Sequence, residues 1–80
     1  MVELGITRKS STGEYRVFWL ENGKDNESRA YYTDDPIDAV DTLLDISTRN
    51  ELSGIPTKIS TSKVTTSLLK RYNESFGGVM

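Results

Sequence analysis

The chain has 80 residues, a formal net charge of -2, and neither cysteine nor histidine. These absences exclude disulfide frameworks, thiolate nucleophiles and thiolate zinc sites, and remove the imidazole on which most proton-transfer and serine-nucleophile chemistry depends. One small domain is expected, burying only ~60% of the surface its unfolded chain exposes, so a partner or a second copy is a natural way to complete its core.

Charge is unevenly distributed. Residues 1–33 carry five basic and five acidic side chains, residues 34–54 one against six, and residues 55–80 four against one. The acidic middle and basic end make a dipolar molecule, suited to pairing with a charged protein surface, with itself, or with a polyanion. The longest apolar run, Val17 to Leu20, falls far short of the ~20 residues that span a bilayer, and no signal peptide is recognisable; a cytoplasmic location is expected.

Val2 to Thr7 alternates with period two and reads as a first strand, and Ser10-Ser11-Thr12-Gly13 has turn composition. The second strand, Tyr15-Arg16-Val17-Phe18-Trp19-Leu20, carries large apolar side chains on both faces. Strands with one wet face alternate apolar and polar, so this strand is either covered twice or shows apolar surface to a partner. Asn22-Gly23 suits a two-residue type I′ turn. That register sets Glu21 opposite Lys24, Phe18 opposite Glu27 and Tyr15 opposite Ala30, completing a three-stranded antiparallel meander over residues 1–33; low strand propensity in Lys24-Asp25-Asn26-Glu27 leaves a longer loop open.

Asp35 followed by Pro36 is a helix start. A helix over about 36–50 places Ile37, Val40, Leu43 and Leu44 on one face, with Ile46 at its margin, and pairs Asp45 with Arg49. Ser53-Gly54-Ile55-Pro56 breaks it. Residues 57–61 are either a short fourth strand or a connecting loop. Over about 62–76, Val64, Leu68, Leu69, Tyr72 and Phe76 follow helical spacing, with Gly77-Gly78 as terminator. The expected fold is thus α+β: a meander packed against two amphipathic helices, in a single domain.

No catalytic motif stands out, and no enzyme activity, cofactor, metal or small-molecule substrate is expected. Asp34, Asp35, Asp38 and Asp41 gather at a helix N-terminus, where carboxylates are stabilising without any ligand; no calcium loop with its glycine and terminal glutamate is present. Ser60-Thr61-Ser62-Lys63 fits the S-x-x-K pattern without its companion motifs. Asn26-Glu27-Ser28 and Asn73-Glu74-Ser75 are glycosylation sequons, relevant only to a secreted chain. A helix-turn-helix through Leu43 to Tyr72 is disfavoured by Pro56 and the polar run after it.

Two binding readings remain. In the first, the chain is a non-enzymatic protein-interaction module, either a self-associating domain or a small regulator docking on a larger protein. Tryptophan, tyrosine and arginine dominate binding energy, which singles out Arg16, Phe18, Trp19, Arg29 and Tyr31. In the second it is a nucleic-acid-binding accessory protein, with Arg8, Lys9, Arg16, Lys63, Lys70 and Arg71 as contacts to phosphate.

Gly5-Ile6, Thr12 to Val17, Asn22-Gly23-Lys24, Tyr32-Thr33 and Ala39 give the first 45 residues an outline that resembles the three-strand-plus-helix domains of plant ethylene-response-type transcription factors and of integrase arm-binding domains. The resemblance implies a DNA-facing sheet. Those families have densely basic strands, whereas residues 1–33 here are neutral.

Overall fold

The computed structural model describes residues 1–74. Strands β1 (Val2–Lys9) and β2 (Glu14–Glu21) pair antiparallel, Leu4 opposite Trp19 and Ile6 opposite Val17. At the next turn Asn22 and Gly23 take φ of 52° and 83°, the two left-handed conformations that a type I′ turn requires.

The third strand departs from the expected register. Strand β3 (Lys24–Asp25) keeps Glu21 opposite Lys24, but Glu27–Arg29 form a 3-10 turn before β4 (Tyr31–Thr33) rejoins β2. Tyr15 therefore faces Thr33, not Ala30, and Arg16 faces Tyr32. The chain shifts by three residues, which the 3-10 turn absorbs through its Ala30 N–H to Glu27 C=O bond. Lys24-Asp25-Asn26-Glu27 offers too little strand propensity to hold a continuous ladder.

Helix α1 (Pro36–Leu52) begins where Asp35 accepts the Ile37 N–H at 2.9 Å, and Asp45 pairs with Arg49 at 3.0 Å. Strand β5 (Thr57–Ile59) then lies parallel to β1, Val2 opposite Thr57 and Leu4 opposite Ile59. The sheet is accordingly mixed, ordered β3-β2-β1-β5 with β4 also on β2, and the purely antiparallel meander is corrected to this. Helix α2 (Lys63–Tyr72) is capped by Ser62; the expected extension through Phe76 and the stop at Gly77-Gly78 lie outside the described residues.

Both helices pack on one face. Val2, Leu4 and Ile6 of β1, Val17 and Trp19 of β2, Ala39, Val40 and Leu43 of α1, and Leu68 of α2 make a single core. Helix α1 is rotated from its expected seat: Ala39 is buried, whereas Ile37 and Leu44 are 44% and 36% exposed. The small Ala39 side chain lets the helix backbone approach the sheet, and Val40, Leu43 and the half-buried Ile46 follow it at spacings of one helical face.

Candidate interaction surface

With both helices on the Tyr15, Val17 and Trp19 side, alternation along β2 leaves Arg16, Phe18 and Leu20 on the side that no helix covers among the described residues. Register adds Tyr32 of β4, Asp25 of β3, and Glu3 and Gly5 of β1 to that side. Phe18 lies across Gly5: a Cβ there would come within 2.6 Å of Phe18 Cε2 and 2.7 Å of Ser60 Cβ. The ring is half-buried there, on the side of the sheet away from the helices.

Around the apolar residues the charges are paired within the chain. One Arg16 terminal nitrogen donates to both Asp25 carboxylate oxygens at 2.9 Å and to Glu27 Oε2 at 2.6 Å, while Nε donates to Tyr32 Oη at 3.2 Å. The Tyr32 hydroxyl in turn donates to Glu27 Oε1, and the guanidinium stands 5.9 Å from the Tyr32 ring centroid. Hydrogen bonds to Asp25 first, then to Glu27 and Tyr32, outweigh desolvation and hold Arg16 above its already high ordinary pKa. Glu27 is held below the usual glutamate value, chiefly by the Tyr32 hydroxyl and then by Arg16. Farther along the sheet Lys58 sits 3.7 Å from Glu3.

The five residues singled out for protein binding do not share one surface. Arg16 and Phe18 lie on the open face. Trp19 is 6% exposed on the helix side, donating from Nε1 to Glu21 at 2.9 Å, with the Arg29 guanidinium 4.7 Å above its ring. Tyr31 also faces the helices and donates its hydroxyl to Asp38 at 2.7 Å. Tyr32 takes their place on the open face at 47% exposure; in the sequence its side was hidden by the three-residue shift, and only pairing with Arg16 reveals it.

The cations considered for nucleic acid also divide. Arg8, Lys63 and Arg71 line one concavity of about 610 Å³ with Tyr15 and Ser67, whereas Lys9 has the opposite parity on β1 and Lys70 is exposed outside that lining. A second concavity of about 830 Å³ is lined by Trp19, Arg29, Ile46 and Asn50, among others. Among the described residues no three histidine, cysteine, aspartate or glutamate side chains converge as a metal site, and no helix is long and apolar enough to cross a membrane.

No family model matches the chain, and neither a curated protein nor a solved structure matches it. The open face itself is therefore the ground for a functional reading.

Proposed function

We propose that the chain is a non-enzymatic protein-interaction module that docks through the sheet face carrying Phe18, Leu20 and Tyr32, either on a second copy or as a regulator on a larger protein. The observation that carries this is the placement of both helices on one side, which among the described residues leaves the other side of the large-residue strand β2 without a covering helix. Aromatic residues and arginine around an apolar centre are what interface cores favour. Because Arg16 already has Asp25 and Glu27 as partners, covering it does not strand the cation, and a stranded charge is the costly outcome at interfaces.

Docking by the face is favoured over strand addition at an edge. The flanking strands β3, β4 and β5 have two, three and three residues, and short edges offer little template for pairing. The same ion pairs weigh against nucleic acid on this face, since a phosphate would have to displace two carboxylates from Arg16.

Solution mass measured from micromolar to millimolar protein tests the self-association arm. Leu20→Lys should abolish any concentration-dependent rise in mass while leaving the melting temperature near that of the parent chain. If the mass stays monomeric, the regulator arm predicts a defined protein retained from a lysate by the parent chain and by Arg71→Gln, but not by Leu20→Lys. Binding unaffected by Leu20→Lys and Tyr32→Ser in both formats would sink the proposal.

A further inference from the structure

Beyond the open sheet face, and on the other side of the molecule, we propose that the concavity between α2 and the β1–β2 hairpin binds the phosphate backbone of a single-stranded nucleic acid. Its lining brings Arg8 from β1 together with Lys63 and Arg71 from α2, beside the Ser67 hydroxyl and the Tyr15 ring. Lys63, Ser67 and Arg71 follow one another at four-residue spacing, so a single flank of the helix carries them. The opposite flank is the one on which Tyr72 reaches α1 and donates to Asp41 at 2.7 Å.

The three cations are uncommitted. Among the described residues none of them forms an ion pair, in contrast to Arg16, Arg49 and Lys58, and no carboxylate lines the concavity. The acidic residues nearest in sequence to Arg8, Glu3 and Glu14, both lie on the other side of the sheet: Glu3 stands opposite Leu20 and pairs with Lys58, and Glu14 stands opposite Lys9 with Arg16's parity. Converging unpaired cations repel one another, and an anion that neutralises them relieves that repulsion. Arg8 stands 6.0 Å from the Tyr15 ring centroid, so a planar cation and an aromatic ring meet where phosphate contacts would form. That combination of a basic groove with a ring is the device by which single strands are held without sequence readout. A duplex is read by convex elements that enter its grooves, whereas here the cations line a hollow, which favours one strand over two.

The test is fluorescence anisotropy of end-labelled oligothymidylate and oligouridylate at low salt, with melting curves to confirm that each variant is folded. Binding should weaken with salt at a slope of about -2 in log K against log salt, the value for three phosphates neutralised on a single strand. Arg8→Gln combined with Arg71→Gln should weaken it on the order of tenfold and flatten the slope; Lys63→Gln alone should act in the same direction. All three side chains are exposed, and Lys63→Gln with Arg71→Gln remains as a readout should Arg8→Gln disturb the hairpin. Lys24→Gln with Lys58→Gln, which removes the same charge elsewhere, should leave binding within twofold or so of the parent. The inference is overturned by no binding at low salt, by equal loss in the control pair, or by polyglutamate binding in place of the oligonucleotides. Leu20→Lys separates this site from the sheet face, because it should leave oligonucleotide binding intact.

Discussion

Thr65 Oγ1 accepts the backbone N–H of Ile6 at 2.9 Å and donates to the Ile6 carbonyl at 3.3 Å, so a helix side chain occupies the hydrogen-bonding position of a neighbouring strand. The need arises because β5 pairs with β1 only as far as Leu4, after which the β1 edge would be buried and unpaired. Since the Thr65 proton serves Ile6, the 2.9 Å contact between the Thr65 and Ser62 hydroxyls takes its proton from Ser62. Thr65 is fully buried. Thr65→Val keeps the shape and removes both bonds; it should cost about 1–3 kcal/mol in urea denaturation, the penalty for stranding buried polar groups. Thr65→Ser should restore most of that stability.

Gly5 and Phe18 are coupled by contact. Gly5→Ala would set a methyl against Phe18 and Ser60, an overpacking that costs typically 1–3 kcal/mol, or about that here. The cost should shrink in the Phe18→Ala background, where the ring is absent. A double-mutant cycle by denaturation checks this, and additive effects would mean that Ser60, not the ring, opposes the methyl.

How far this arrangement was legible in the sequence follows from how local each cause is. The Asn22-Gly23 turn, the Asp35-Pro36 start and the Tyr15/Arg16 alternation are settled within a few residues, and each appears as expected. Strand β5 was ambiguous because three residues carry almost no pattern, and its parallel partner β1 is more than fifty residues away. The third strand broke where tertiary contacts replaced ladder bonds: Asp25 and Glu27 both reach Arg16. Which residues share the open face was therefore half legible, since parity gave Arg16, Phe18 and Leu20, but Tyr32 depended on a register set by that break. The helical stripe was misplaced by weighting Ile37 and Leu44 by size, when the close seat belongs to Ala39.

Asn50 is 6% exposed and its Nδ2 has no hydrogen-bond partner among the described residues. A buried amide without a partner bears its desolvation cost uncompensated. Asn50→Leu, similar in shape and apolar, should therefore raise stability by about 1 kcal/mol, seen as a melting temperature higher by about 4–8 °C for a domain of this size. Asn50→Asp should lower it, because a buried carboxylate is harder to desolvate than an amide.

Glu27 and Tyr31 give the stability curve opposite slopes at its two ends. Glu27 is held below its ordinary value of 4.5 by the Tyr32 hydroxyl and by Arg16. The folded chain thus keeps this carboxylate charged where the unfolded chain takes up a proton, so the contribution is complete above about 4.5 and is lost as pH falls toward the lower folded value. Tyr31 behaves inversely: its hydrogen bond to Asp38 raises it above 10.0, so that contribution is complete below about 10 and is lost as pH rises through the raised value. Carboxyl carbon shifts followed by NMR should show Glu27 titrating below the ordinary glutamate value of 4.5, and Tyr32→Phe should move the Glu27 midpoint upward. Denaturation midpoints in Tyr31→Phe should fall less steeply above pH 10 than in the parent chain. A Glu27 midpoint unmoved by Tyr32→Phe would show that Arg16 alone holds the carboxylate, and the open face would then lack the Tyr32 to Glu27 bond that fixes its aromatic ring.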